Sequence, residues 1–246
     1  MSTDDAGTVY SMSPSGAVRI VYNFDGTEGY GYAPLIQDAE GYLYGTAEGG
    51  TLGGGIVFKV TTGGKLTVLH NFLHADSNDG WLPAAGLVLA TDGNLYSSTF
   101  RGNPTNNGGL FKVTKAGSYT QVHVFDGTDG TQTEATAMQH TNGKIYGLTS
   151  LGGAYDGGVL YSLAVGLKPF VKLLFTTGKV GRSIGILGQG FKGTTSVSFN
   201  GTPAAFRVIS GTYLVATVPA EATTGFVTVT TPKSVLKSNL EFRVKP

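Results

Sequence analysis

The sequence predicts an all-β protein in two parts: propeller-type four-stranded repeats, about three blades per chain, then a C-terminal immunoglobulin-like β-sandwich. Three observations support this prediction. Glycine is abundant, with 39 residues in 246, and it separates short runs of Val, Leu, Ile, Tyr and Phe. Three landmarks recur about every fifty residues, which is the length of one propeller blade. The period ends near Lys168, and seven short strand-like segments follow it, as in a sandwich domain.

The landmarks recur in one order, which makes the repeat secure. A Phe that ends a strand-like run is found at Phe24, Phe72 and Phe125. A Leu/Ile-Tyr pair is found at 43–44, 95–96 and 145–146. A glycine followed by apolar residues and an aromatic residue begins at Gly7, Gly55, Gly108 and Gly158.

Each period is predicted to contain four strands, which in the clearest repeat span residues 84–89, 94–99, 109–114 and 119–125. Glu40-Gly41, Asp92-Gly93 and Asn142-Gly143 lie between the first and second strands. Such pairs favour two-residue type I′ hairpins, in which both central residues have positive φ. A four-stranded antiparallel unit at this period is typical of a propeller blade.

The blade count predicts that the chain does not close a ring alone. Only a third and a fourth strand, at 7–13 and 17–24, precede the first full unit, and a first, second and third strand, ending near Ala164, follow the last. Three blades are fewer than the usual four to eight. Either the chain is a fragment of a longer propeller, or two copies form a homodimer of about six blades. In that homodimer, strand 158–164 is left over.

The repeat resembles a known family. Leu43-Tyr-Gly-Thr46, Gly49-Gly50 and Gly55-Ile-Val-Phe-Lys-Val60 are similar to the GloVer tandem repeats of soil and environmental bacteria, over residues 7–164. The resemblance implies a secreted or cell-surface protein and no single activity. The repeat is also similar to NHL-type and gluconolactonase-type blades, a likeness of fold alone.

The C-terminal segment resembles the IPT/TIG family. Its motifs are Gly178-Lys-Val-Gly181, Ile186-Leu-Gly-Gln-Gly-Phe191, Val197-Ser-Phe-Asn-Gly201, Val218-Pro219 and Asn239-Leu-Glu-Phe242. We therefore expect a repeat domain at 1–165 and a TIG domain at 166–246. Because the chain has no basic face, the resemblance implies a spacer or packing module rather than a DNA-binding one.

Composition excludes several function classes. The net charge is +1 and 13% of residues are charged, which predicts no binding to nucleic acid or to an anionic membrane. The chain has no cysteine, so it has no thiolate metal site and no cysteine nucleophile. No apolar stretch is long enough to span a bilayer. Residues 1–6 lack the basic and apolar regions of a signal peptide.

Two patterns, a catalytic serine motif and a set of histidines that could bind zinc, are outweighed by structural interpretations. Gly181-Arg-Ser183-Ile-Gly185 matches a nucleophile elbow, but that motif needs a strand-to-helix turn, and no helix is predicted there. His70 and His123 occupy similar places in successive fourth strands, which is typical of repeat positions. His140 ends a first strand, which in a propeller lines the channel, so it is the one catalytic candidate.

The most suggestive pattern is the acidic loop before each first strand. These loops read Asp25-Gly-Thr-Glu28-Gly29, Asp76-Ser-Asn78-Asp79-Gly80 and Asp126-Gly-Thr-Asp129-Gly130. Carboxylate and amide oxygens at alternate positions are how loops bind Ca²⁺. The predicted ligands are Asp76, Asn78, Asp79, Glu28 and Asp129. The same residues also make ordinary turns.

Two functions from different classes follow. One is a ligand-binding or scaffolding propeller with a TIG spacer, for which a small molecule is one partner. The other is a Ca²⁺-dependent lactonase-type hydrolase, in which the metal polarises an ester carbonyl and a bound water. Its substrates would be small lactones such as acyl-homoserine lactones.

Overall fold

A computed structural model describes residues 6–31, 33–74, 78–102 and 104–246. All regular elements in these ranges are β-strands, and no described helix is long and apolar enough to cross a membrane. The chain divides into two compact units: unit 1 is Met1–Gln139 with Ile145–Leu163, and unit 2 is His140–Lys144 with Ala164–Pro246. The expected boundary between residues 165 and 166 stays a prediction.

Unit 1 contains thirteen strands among its described residues, in four antiparallel sheets that follow chain order. The leading sheet is β1 (Thr8–Met12) and β2 (Val18–Asn23). The first repeat sheet is β3 (Ile36–Gln37), β4 (Leu43–Ala47), β5 (Gly53–Val60) and β6 (Leu66–Leu73). The second repeat sheet is β7 (Val88–Leu89), β8 (Leu95–Thr99), β9 (Gly109–Val113) and β10 (Tyr119–Val124). The trailing sheet is β11 (Met138–Gln139), β12 (Ile145–Leu148) and β13 (Leu160–Leu163).

These sheets confirm the predicted four-stranded repeats, while closure into a propeller ring stays a prediction. The turn type is a correction. Gly41, Gly93 and Gly143 have positive φ, but Glu40, Asp92 and Asn142 do not, so the hairpins are not type I′. Instead, the N–H of Gly93 donates to Ala90 O, and that of Ala90 donates to Asn94 O. This three-residue loop needs only its glycine in the left-handed region.

Consecutive sheets of unit 1 pack face to face through apolar side chains. The leading sheet places Val9 and Phe24 against Phe58 and Val60 of the first repeat sheet. The next interface repeats this arrangement, with Tyr44, Val57 and Phe72 of one sheet against Leu95, Phe111 and Val113 of the other. Burial of one such large side chain contributes about 1.5–3 kcal/mol. These interfaces, rather than any single sheet, therefore stabilise the repeat unit.

Unit 2 contains nine strands among its described residues, in two sheets. One sheet has the order β14 (Lys172–Leu173), β16 (Ser183–Leu187), β20 (Tyr213–Thr217) and β19 (Phe206–Val208). The other has the order β15 (Thr177–Lys179), β22 (Val235–Lys245), β21 (Gly225–Thr230), β17 (Ser196–Phe199) and β18 (Thr202–Pro203). The immunoglobulin-like arrangement is confirmed, and β15 and β18 are two strands that the sequence analysis missed.

The core of unit 2 is fully apolar and includes Ile186, Phe199, Val218, Val229 and Phe242. Alternation along residues 171–175 favours burial of Phe175 as well, and that interpretation is wrong. The strand β14 is only two residues long, so the alternation ends before Phe175, which is 55% exposed. The guanidinium of Arg182 instead lies over the Phe175 ring, 5.0 Å from the ring centroid, in a cation–π contact.

Candidate functional site

The acidic loops of unit 1 share one internal design. In each loop the last acidic residue accepts a hydrogen bond from the side chain that lies two positions before the repeated Phe. The donors are Tyr22, His70 and His123, and their acceptors are Glu28, Asp79 and Asp129. In three successive repeats the acidic loop is therefore anchored to the fourth strand that precedes it, by a tyrosine in the first loop and by a histidine in the other two.

In the first loop, Tyr22 Oη donates to Glu28 Oε1 over 2.5 Å. Burial and this carboxylate raise the pKa of Tyr22 to about 12, so the phenol remains a donor at neutral pH. Asp25 turns back on the loop, and its Oδ1 accepts from both the backbone N–H and the hydroxyl of Thr27. The hydrogen bonds from Thr27 hold the pKa of Asp25 below its usual range.

In the second loop, His70 Nε2 lies 2.9 Å from Asp79 Oδ2. Burial lowers the pKa of His70, and the opposing effect of Asp79 is smaller. Since a carboxylate only accepts, Nε2 of the imidazole donates this hydrogen bond. Tyr119 stacks on the imidazole at 4.3 Å and donates to Asp79 O. Asn78 is exposed, and Asp76 lies outside the described residues.

In the third loop, His123 Nε2 lies 2.6 Å from Asp129 Oδ2, while Asp129 Oδ1 accepts from the backbone N–H of Asp126. Asp126 repeats the arrangement of Asp25, because its Oδ1 accepts from the N–H and the hydroxyl of Thr128. These bonds from Thr128 hold the pKa of Asp126 below its usual range. Both carboxylates of this loop are thus engaged within it.

The glycine after each acidic residue is required by both conformation and packing. Gly29, Gly80 and Gly130 have positive φ. A Cβ at these positions would overlap Glu48 O, Thr99 Oγ1 and Thr149 Cγ2, respectively. These atoms belong to residues that follow or end the second strand of the next sheet along the chain, which is β4, β8 or β12. The Asp/Glu-Gly pattern of the loops therefore has a structural cause in every repeat.

The structure does not bring the predicted calcium ligands together among the residues that it describes. In these ranges no group of three or more His, Asp or Glu side chains lies close enough to hold a metal ion. Glu28, Asp79 and Asp129 each accept a hydrogen bond from the strand that precedes their loop, which is β2, β6 or β10. The calcium site stays a prediction, and its first ligand, Asp76, falls in the part that is not described.

His140, the catalytic candidate, lies in the turn between β11 and β12 and is half-buried. Its Nδ1 accepts a hydrogen bond of 3.2 Å from the backbone N–H of Asn142. The N–H of His140 donates to Lys144 O, and His140 O accepts from Gly143. The imidazole therefore caps this turn, as Asp38 does in the first repeat. A catalytic role for His140 stays a prediction.

One buried ionic cluster was missed by the sequence analysis. Asp38, in the turn between β3 and β4, has a side chain only 1% exposed and lies 2.6 Å from Lys115 Nζ. Its carboxylate also accepts from Tyr44 Oη and from the N–H groups of Glu40 and Tyr42. Burial raises the pKa of Asp38, but the bonds from Lys115, Tyr44 and Tyr42 outweigh it and hold the pKa below its usual range. Because Lys115 belongs to the next repeat, this ion pair joins two consecutive sheets.

Comparisons with known proteins agree with this architecture. Residues 1–200 match the family model described as the Gloeobacter/Verrucomicrobia repeat, and residues 169–244 match that of the IPT/TIG domain. No curated protein matches the sequence at a significant level. Among solved structures, a fungal alcohol oxidase of the AA5 family in complex with copper is 16% identical, with a TM-score of 0.41. That match covers 96% of this chain and 59% of the other.

Proposed function

The chain belongs to the Gloeobacter/Verrucomicrobia repeat family, and on that premise we propose that it is a non-catalytic scaffolding module. It binds other β-sheets through two uncovered apolar sheet faces of unit 1. The observation that carries this proposal is a difference in burial between equivalent positions of the repeat. The positions of Tyr10, Met12 and Leu160 are buried in the inner sheets and exposed in the leading and trailing sheets.

The first uncovered surface, the leading face, belongs to the leading sheet. It consists of Tyr10, Met12, Val18 and Ile20, which lie on one side because Tyr10 pairs with Ile20 and Met12 with Val18. Tyr10 is 61% exposed, whereas Phe58, its equivalent in the first repeat sheet, is 1% exposed. Met12 is 66% exposed, whereas its equivalent Val60 is fully buried.

The second uncovered surface, the trailing face, belongs to the trailing sheet. It consists of Met138, Leu148 and Leu160, and Leu148 pairs directly with Leu160 across β12 and β13. The equivalent pairs in the inner sheets are Thr46 with Val57 and Ser98 with Leu110. Leu160 is 71% exposed, whereas Val57 and Leu110 are fully buried.

The opposite sides of the same two sheets are covered. Val9 of the leading sheet is buried against the first repeat sheet, and Tyr161 of the trailing sheet packs on Phe125, with ring centroids 5.2 Å apart. The exposed large apolar side chains of the leading and trailing sheets thus lie on one face of each sheet. Contiguous exposed apolar patches on soluble domains mark binding surfaces, and a flat apolar sheet face suits another sheet.

The absence of cysteine from the sequence gives a direct test. Single-thiol variants Met12→Cys and Leu160→Cys report on the two faces, and Thr62→Cys, in the exposed β5–β6 turn, is the matched control. We expect the rate of maleimide labelling at positions 12 and 160 to fall as the chain is raised from nanomolar to tens of micromolar, because association buries both thiols. The control rate should not change.

Equal labelling rates at all concentrations for both variants would overturn the scaffolding proposal in this form. Turnover of a lactone panel that depends on calcium and is abolished by EDTA would contradict its non-catalytic part. These two readouts are independent, because one follows exposure of the faces and the other follows chemistry.

A further inference from the structure

We infer that the occupant of both faces is a second copy of this chain, with the leading face of each copy packed on the trailing face of the other. The inference rests on the proposed scaffolding function and names its partner. The leading and trailing faces have the residue types and the registers of the two halves of an interface that the chain already forms within itself.

The internal interfaces show which side chains meet. Val57 lies on the face of the first repeat sheet that packs against the second repeat sheet. It belongs to one cluster with Phe111 and Val113, which lie on the facing side of the second repeat sheet. Val9 of the leading sheet belongs in the same way to one cluster with Phe58 and Val60. In both of these interfaces, one aliphatic residue of a third strand therefore shares a cluster with an aromatic and an aliphatic residue of the next third strand.

The two uncovered faces supply the same set. Leu160 occupies the position of Val9 and Val57 in the repeat, so it presents the aliphatic side chain. Tyr10 and Met12 occupy the positions of Phe58 and Val60, so they present the aromatic and the aliphatic side chain. Packing of Leu160 of one copy on Tyr10 and Met12 of the other would reproduce the internal interface. If two leading faces packed together instead, Tyr10 of one copy would meet the aromatic face of the other, and no aliphatic partner like Val57 would be present.

The trailing sheet also decides how the copies join. β13 pairs with β12 over four residues, Leu160 to Leu163, and so takes the place of the third strand. A partner strand cannot insert there, and strand 158–164 is not left over. We therefore place the partner on the face of the trailing sheet rather than in its third-strand position. Four sheets per chain, of which two have all four strands, give eight sheets per pair, and closed propellers have four to eight blades.

Closure favours two copies over an open chain of copies. A head-to-tail contact forms a ring when its rotation closes and a filament when it does not. In a closed pair, the second contact forms at the high effective concentration set by the first. All four faces are then covered, whereas every open assembly leaves one leading and one trailing face in water.

The test uses cross-linking between single-thiol chains. Met12→Cys and Leu160→Cys chains, distinguished by different affinity tags, are mixed at tens of micromolar and treated with a short bismaleimide. We expect a covalent dimer that contains one chain of each kind, at least tenfold above the yield for either variant alone. The matched control pairs Thr62→Cys with Leu160→Cys and should give only background. A chain that carries both Met12→Cys and Leu160→Cys should give a dimer with no larger products.

Three outcomes would overturn the inference. They are cross-linking of Met12→Cys with itself, a ladder of larger products from the double variant, and no dimer above background in the mixture. If concentration still protects the thiols at 12 and 160 in labelling, the faces bind another occupant and only the second-copy inference fails. If protection is also absent, the scaffolding proposal fails with it.

Discussion

Replacement of Lys115 by Met should destabilise the repeat unit, because it leaves the carboxylate of Asp38 buried without its cation. Lys115 Nζ lies 2.6 Å from Asp38 Oδ2, and the side chain of Asp38 is 1% exposed. Removal of one partner from a buried ion pair costs about 3–5 kcal/mol. Two features reduce that cost here. Asp38 keeps three other donors, and the side chain of Lys115 is 34% exposed.

We therefore expect a loss of about 2 kcal/mol in the free energy of unfolding at pH 7. The matched control is Lys65→Met, since Lys65 is exposed in the corresponding turn of the preceding repeat and forms no ion pair with a described residue. Surface changes of that kind stay within about 0.5 kcal/mol. Trp81, the only tryptophan, lies in unit 1, so urea unfolding followed by its fluorescence reports on the repeat unit.

The pH dependence gives a second check with a defined sign. The folded-state pKa of Asp38 lies below its usual value. The carboxylate therefore contributes stability above the unfolded pKa, about 3.9, and this contribution is lost as the pH falls through the folded pKa. The difference between wild type and Lys115→Met should be full at pH 7 and should shrink below about pH 4. A Lys115→Met effect equal to that of Lys65→Met at pH 7, or one unchanged at low pH, would refute this reasoning.

Three further predictions concern other parts of the chain. Gly86→Ala should lower the free energy of unfolding of the repeat unit by about 1–3 kcal/mol in the same urea assay. The reason is that its Cβ would lie 2.6 Å from Thr136 Oγ1 and 2.9 Å from Pro34 Cγ. The control is Gly157→Ala, which should be near neutral because its Cβ would meet nothing within 4 Å. If the loops bind Ca²⁺, millimolar calcium should raise the melting temperature and change the fluorescence of Trp81 relative to EDTA. Asp129→Asn should weaken both effects. No change in either signal would mean that the loops are turns without a calcium site. A fragment of residues 168–246 should unfold cooperatively as a monomer by circular dichroism, since the apolar core of unit 2 lies within residues 171–242, and a non-cooperative transition would contradict this.

The repeat and its strands could be predicted because glycine turns and apolar runs recur at fixed offsets. Alternation of apolar residues predicts strands at 183–187, 196–199 and 225–230, and these are the bounds of β16, β17 and β21. The anchors of the acidic loops were within reach of the same method. Tyr22, His70 and His123 all lie two positions before the repeated Phe, so alignment of the repeats marks them as one structural position.

Other features depend on how sheets pack and leave no local signal. Asp38 and Lys115 are 77 residues apart, and their ion pair follows from the stacking of two sheets. The calcium interpretation had a different difficulty, because the residues that ligate a hard cation are those that also make Asx turns. In the structure Glu28 and Asp129 accept hydrogen bonds from Tyr22 and His123, and the calcium site stays a prediction. The leading and trailing faces likewise have no local signal in the sequence, because their residues differ from the equivalent residues of the inner sheets mainly in burial.

The mass of the intact chain in solution tests the central claim most directly. Sedimentation velocity over nanomolar to tens of micromolar concentrations should show one transition, from the 25.5 kDa monomer to a species of twice that mass, with nothing larger. Leu160→Lys should abolish the transition, because it places a charge in the apolar contact, while Thr62→Lys should not affect it. A monomer throughout this range, or a dimer that persists in Leu160→Lys, would contradict the claim that the terminal sheet faces join two copies.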